Sequence, residues 1–209
     1  METFEKAFRT TILHETSGDK VTDNNQFDPG GFTYYGIARN RWPNWKGWRV
    51  VDQDIKLYGR PRTMEENPFL GEAVRAFYRT EFWFARNLEK IAAQSPSVAM
   101  ELFDTGVNVG TGAAGQMLQR ALNLMNRRAS LWKDIKVDGL IGPITLATLS
   151  VCLAKRGERL LYRVLNFMQG KHYIDLMEAV PDKFEEFIGW FERVSCEPPI
   201  PNTSKGLRT

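Results

Sequence analysis

A chain of 209 residues with 43% hydrophobic side chains is long enough for one substantial domain or two small ones, with material for a real core. Its 28 basic and 25 acidic residues leave a net charge of +3 with no long basic run or stripe, which mildly favours an anionic partner and argues against nucleic acid. No apolar run approaches the roughly 20 residues of a membrane-spanning helix, and Cys152 and Cys196, the only cysteines, lack metal-ligand spacing, so no stable membrane insertion, metal or organic cofactor is expected.

Residues 3–15 carry Phe4, Ala7, Phe8, Thr11 and Ile12 at three-to-four spacing, the signature of one buried helical face, and Glu15 sits at the edge of that face. From Thr16 to Arg39 the helical period disappears into a glycine-rich stretch with short alternating pieces that suit a small twisted hairpin. An irregular segment of that length inside a compact protein, rich in aromatic residues, points to function. Trp42, Trp45 and Trp48 then recur every third residue around Pro43 and Gly47, where Trp42 and Trp48 either line a saccharide cleft or seal a loop against the core. Asp52 is placed to cap a short helix through Leu57, and Phe69–Phe84 reads as the next helix.

Ser95-Pro96 opens a further helix with Pro at its first position, and Gly106, Gly110 and Gly112 are expected to break it up. Ala114, Met117, Leu118, Ala121, Leu122 and Met125 form a strong helical stripe, and Asp138-Gly139 is a tight turn before a helix opened by Pro143. Two more helices, Glu158–Met177 and Lys183–Val194, complete the pattern, and the tail from Pro198 to Thr209 reads as loosely held. Cys152, among Leu149, Val151 and Leu153, reads as a small buried hydrophobe. The fold class expected is mainly α: a lysozyme-like fold with a small irregular or β-hairpin segment after the first helix, and a second helical lobe packed against it.

Cleavage of a glycosidic bond needs a protonated carboxylic acid for the leaving oxygen and a second group to hold a water or stabilise the oxocarbenium-like centre. Glu15 meets the first need where burial disfavours its charged form and raises its pKa. Asp28, in Asp-Pro-Gly-Gly, is the best second carboxylate, and Thr33 brings a hydroxyl that can share a water with it; that pair opposite Glu15 would suit inversion. Asp28 is equally an ordinary turn former before Pro-Gly, and Asp23 is either a further site carboxylate or one more polar loop residue. Tyr34, Tyr35 and Trp42 are candidates to contact a sugar.

At these residues the sequence resembles a known family. Leu13-His-Glu15-Thr-Ser-Gly18, followed by Asp28-Pro-Gly-Gly-Phe-Thr-Tyr-Tyr-Gly-Ile37, is similar to the N-terminal signature of the glycoside hydrolase family 108 N-acetylmuramidases, lysozyme-like enzymes found as phage endolysins and bacterial proteins once described as secretion activators. The resemblance implies cleavage of the β-1,4 bond between N-acetylmuramic acid and N-acetylglucosamine in peptidoglycan, with Glu15 as the acid. Asp28 and Thr33 follow it in the order of the Glu, Asp, Thr triad of some phage lysozymes, at somewhat different intervals. Asp104-Thr-Gly-Val-Asn108-Val-Gly110, Leu118-Gln-Arg-Ala-Leu-Asn123, Val137-Asp-Gly-Leu-Ile-Gly142-Pro-Ile-Thr145 and Phe187-Ile-Gly-Trp190-Phe-Glu-Arg193 resemble the family's companion region, a predicted peptidoglycan-binding domain. Asn108 is thereby a candidate substrate contact, although it also suits a helix terminus. Where relatives have Glu-Gly-Gly-Tyr this chain has Glu15-Thr-Ser-Gly, a change beside the acid that can retune the cleft.

The expected organisation is a catalytic region over residues 1–95, a helical peptidoglycan-binding-like region over 96–196 and a flexible tail over 197–209. Peptidoglycan glycan strands are the expected partner of a monomer. Two alternatives stay open: a lytic transglycosylase using Glu15, and a noncatalytic peptidoglycan-binding protein. The first residues enter the helical pattern without a signal-peptide core, so the expected location is the cytoplasm until holin-dependent release to the periplasm or cell wall.

Overall fold

A computed structural model describes residues 2–13, 22–23, 31–180, 188–195 and 197–198. The chain is mainly helical with a small sheet after the first helix, consistent with a lysozyme-like fold. It divides into two compact units, Met1–Ala85 and Arg86–Thr209.

In the first unit α1 (Glu2–Phe8) buries Phe4, Ala7 and Phe8, as its spacing predicts, and continues into a wider π-type turn, Arg9–Leu13, that buries Thr11 and Ile12. Three two-residue strands follow: β1 (Thr22–Asp23), β2 (Thr33–Tyr34) and β3 (Ile37–Ala38), antiparallel in the order β1-β2-β3. Thr33 pairs with Asp23 on one side and Ala38 on the other. Strands β2 and β3 are joined by Tyr35-Gly36, both with positive φ (46° and 76°), as a two-residue turn matched to strand twist requires. A tyrosine in the left-handed region is strained. Tertiary contacts hold it there: Tyr78 Oη donates to the Tyr35 carbonyl (2.8 Å), and the Met64 amide donates to Tyr35 Oη (3.4 Å). A Cβ on Gly36 would lie 2.7 Å from Tyr78 Oη, inside contact distance. The Gly36→Ala protein is therefore expected to lose about 2 kcal/mol of stability, read as a lower urea midpoint with an unchanged slope.

Helix α2 (Trp48–Tyr58) starts four residues before Asp52, which corrects the expectation that Asp52 caps it. Asp52 instead takes both guanidinium nitrogens of Arg39, the closer at 2.6 Å. Gly59, left-handed at φ 75°, ends the helix. Helix α3 (Pro68–Tyr78) opens on Pro68 and buries Leu70, Val74, Phe77 and Tyr78 before passing into a π-type turn, Arg79–Trp83, and a 3-10 turn, Phe84–Arg86. Edge-on aromatic contacts knit this unit together: Phe4 to Trp83 at 5.6 Å, Phe8 to Tyr78 at 5.8 Å and Phe77 to Tyr78 at 5.2 Å.

The second unit holds α4 (Leu88–Ala92), α5 (Pro96–Val109), α6 (Thr111–Met125), α7 (Pro143–Arg156), α8 (Glu158–Ala179) and a 3-10 turn, Ile188–Arg193. Ser95 caps α5, its Oγ accepting from the Val98 amide at 3.2 Å, with Pro96 at the first helical position. Gly106 does not break the helix as expected. It lies within α5, where a Cβ would meet Thr111 and Ala114 at 3.5–4.0 Å, and the break falls at Gly110 with φ 104°. One face of α6 presents three amides to the following loop. Gln119 Oε1 accepts from the Asp138 and Gly139 amides, Asn123 pairs with both backbone groups of Ile135, and Asn126, the residue that caps α6, accepts from the Ala129 amide and donates to the Asp134 carboxylate. Gly115 is required there, since a Cβ would stand 2.3 Å from the Gly139 carbonyl oxygen. Cys152 is buried, and burial pushes its thiol up to about 11, so it is inert as a nucleophile. Of the helix expected over Lys183–Val194, residues 183–187 lie outside the described residues, and the described part is the 3-10 turn.

Candidate functional site

Glu15 and Asp28 lie outside the described residues, as does the side chain of Asp23, whose backbone forms β1 opposite Thr33. Thr33 is half-buried on the central strand, and its hydroxyl donates to the Gly31 carbonyl at 3.2 Å. That bond uses the hydroxyl proton and leaves the oxygen able to accept from a water.

Tyr34 and Tyr35 correct the expectation of sugar contacts, because neither ring offers a face to a ligand. Both are buried, at 0% and 4% exposure, and they meet edge to face at 4.9 Å. Tyr34 Oη donates to the Arg62 carbonyl at 2.7 Å, and burial raises the pKa of both phenols. These tyrosines hold the hairpin to the helices behind it. The Arg62 segment they grip is itself fixed by buried Asp54, which accepts from the Arg62 guanidinium (3.0 and 3.2 Å) and from Asn67 Nδ2 (3.1 Å). Burial alone would raise the Asp54 pKa, but those hydrogen bonds outweigh it and hold the carboxyl below its ordinary value.

The tryptophan triplet divides its labour. Trp48 is buried and donates from Nε1 to the Trp42 carbonyl at 2.7 Å, which pins the loop, while Trp42 and Trp45 are half-exposed. They line an open groove of about 690 Å³ between the 41–46 loop and α3 with its following turn. Phe77 forms its floor, 4.9 Å from Trp42 and near perpendicular to it, and Arg41, Lys46 and Glu81 stand on its rim.

In the second unit Asn108 is half-exposed on the last turn of α5, with Nδ2 donating to the Asp104 carbonyl at 2.9 Å, a bond internal to the helix end. Sequence reasoning missed Glu101, one turn after Val98 on the inner side of the same helix. Glu101 is 5% exposed, and burial, reinforced by the nearby charge of Asp104, pushes its pKa up to about 8 against hydrogen bonds from Asn166, Thr105 and Tyr162. Asp104 is bound in turn by Arg193 (2.9 Å) and by Gln169 Nε2 (3.1 Å). The signal for Glu101 in the sequence is an acid placed among the apolar positions Val98, Leu102 and Phe103, with a second acid, Asp104, one turn on.

Among the described residues no three His, Cys, Asp or Glu side chains converge as a metal site, and no helix is long and apolar enough to cross a membrane. No protein of curated function matches the chain significantly. The sequence does match the family described as Glycosyl hydrolase 108 over residues 9–110, and the family described as Predicted Peptidoglycan domain over residues 113–195. The first match spans the hairpin and the groove and extends past the division at Ala85 to include α5; the second takes in the amide face of α6, the Asp138-Gly139 turn, α7 and α8. Residues 9–110 therefore form a glycosyl hydrolase 108 domain, followed over residues 113–195 by a peptidoglycan-type domain.

Proposed function

We propose that this protein is an N-acetylmuramidase that hydrolyses the β-1,4 bond between N-acetylmuramic acid and N-acetylglucosamine in peptidoglycan. The observation that carries this reading is the succession, on one chain, of a glycosyl hydrolase family match and a peptidoglycan domain match. Membership in a glycoside hydrolase family supports hydrolase activity, and the companion domain supports peptidoglycan as the polymer. Glu15 is the general acid: it gives its proton to the bridging oxygen as that bond breaks, and the departing sugar leaves with a hydroxyl. Asp28 and Thr33 position the water, Asp28 taking its proton as the oxygen bonds to the sugar carbon, which gives inversion. The half-buried Thr33 hydroxyl, fixed by the Gly31 carbonyl on the central strand, supports that role.

Incubated with purified sacculi, the wild-type protein is expected to release new reducing ends continuously. Protein that sediments with sacculi and releases none would be a binding protein, and the hydrolase reading would fail.

A further inference from the structure

The groove beside the hairpin has a chemistry that the hydrolytic step does not use. Its apolar part is a rigid aromatic corner. Trp42 and Trp45 both meet Phe77 edge on, at 4.9 and 6.2 Å, and Trp45 meets buried Trp48 at 5.0 Å. Two indole hydrogen bonds lock the corner, Trp45 Nε1 to the Ala73 carbonyl (3.4 Å) and Trp48 Nε1 to the Trp42 carbonyl (2.7 Å). A ligand landing there need not order these side chains first, which removes part of the usual cost of binding.

The rim is charged and asymmetric. Arg41 and Lys46 stand on the loop side, both exposed, and neither makes an ion pair among the described residues. Glu81 stands on the opposite wall, in the turn after α3. A small aromatic platform flanked by two cations and one carboxylate suits a ligand with a C–H face, nearby carboxylates and an amino group. A purely apolar peptide would leave the charges unused, and a neutral sugar would leave the cations unused. At about 690 Å³ the groove falls within the range of small-ligand sites.

Resting on the muramidase reading, we propose that this groove is a subsite for the peptide-bearing sugar of the glycan strand: the sugar ring lies on Trp42, the stem-peptide carboxylates meet Arg41 and Lys46, and a free stem amine meets Glu81. The groove thus reads whether a strand carries its peptides.

The test is a titration of the full-length Glu15→Gln protein, labelled at its tryptophan indoles, with a disaccharide-tetrapeptide and with the same disaccharide without its peptide, followed by NMR. The Trp42 and Trp45 indole signals are expected to move saturably with the peptide-bearing ligand, and about tenfold more weakly with the peptide-free one. The double charge reversal Arg41→Glu/Lys46→Glu, at exposed positions, should raise the dissociation constant for the peptide-bearing ligand about tenfold and change that for the peptide-free ligand by less than about threefold. Shifts confined to Trp132 and Trp190, equal affinity for both ligands, or indifference to charge reversal would overturn the subsite. Failure of the muramidase reading shows separately, as wild-type protein that releases no reducing ends from sacculi.

Discussion

Glu15→Gln is expected to lower the rate of peptidoglycan cleavage by about a thousandfold, within the range that a positioned general acid contributes. The substitution keeps the shape of the side chain and removes only its ability to deliver a proton to the bridging oxygen. Thermal unfolding of the variant should stay close to that of the wild type, because a single residue is changed to its isostere. A turbidity assay on sacculi alongside a melting curve separates the two effects. Full retention of lysis would remove Glu15 from the mechanism. Thr16 and Ser17 follow Glu15 directly, where the resemblance to the family implies glycines, so Thr16→Gly/Ser17→Gly is the natural companion variant for asking whether the residues beside the acid retune its activity.

The second large effect concerns stability and sits in the other unit, at Glu101. Its folded pKa, raised to about 8, exceeds the ordinary glutamate value of 4.5. The folded protein therefore holds a proton that the unfolded chain has already released, and stability must fall as pH rises from about 4.5 to about 8. Above that window the cost is complete, roughly 3–5 kcal/mol from a shift of this size. Glu101→Gln keeps the hydrogen-bonding shape without the ionisation. At pH 5 variant and wild type should melt within a few degrees of one another. At pH 9 the variant should be the more stable by most of that amount, and the pH dependence of its melting temperature should flatten. The groups facing Glu101 leave it little relief: Thr105 and Asp104 on α5, Tyr162 and Asn166 on α8, with Asp104 already committed to Arg193 and Gln169. A melting-temperature difference between Glu101→Gln and wild type that stays constant from pH 5 to pH 9 would show that the Glu101 carboxyl does not titrate differently in the folded protein.

Much of the helical framework was legible because its signals are local. Ser95-Pro96 caps and opens α5 through its own atoms, Pro143 opens α7 in the same way, and the apolar stripe of α6 needs only the period of the helix. What escaped depends on partners distant in sequence. Asp52 has the chemistry of a cap, but Arg39, thirteen residues earlier, takes its carboxylate. Tyr34 and Tyr35 sit in a polar, glycine-rich stretch that reads as exposed, yet Arg62, Met64 and Tyr78 draw them into the core. Gly106 reads as a breaker until α6 is packed against it. Trp42 and Trp48 are alike in sequence and opposite in structure, since the indole of one fixes the backbone of the other. For the chemistry itself, Glu15 and Asp28 rest on motif and family, and Thr33 is the member of the proposed set whose side-chain surroundings the structure describes.

The peptidoglycan motifs of the second half have a structural meaning that their sequence conceals. Gln119 and Asn123 on α6 and Asn126 at its C-terminal cap follow one another at helical spacing, and each holds a different part of the loop that ends at Gly142. That loop carries Arg127, Arg128 and Ala129 in succession at φ near 56°, an arrangement L-residues adopt only under restraint. Asn126 supplies the restraint, its Oδ1 accepting from the Ala129 amide and its carbonyl from the Leu131 amide.

The muramidase account is tested most directly by mass spectrometry of the fragments released from purified peptidoglycan by the wild-type and Glu15→Gln proteins under identical conditions. The prediction is that wild-type fragments end in an ordinary reducing N-acetylmuramic acid and that the variant yields almost none. Fragments ending in anhydro-N-acetylmuramic acid, or equal yields from the two proteins, would contradict it.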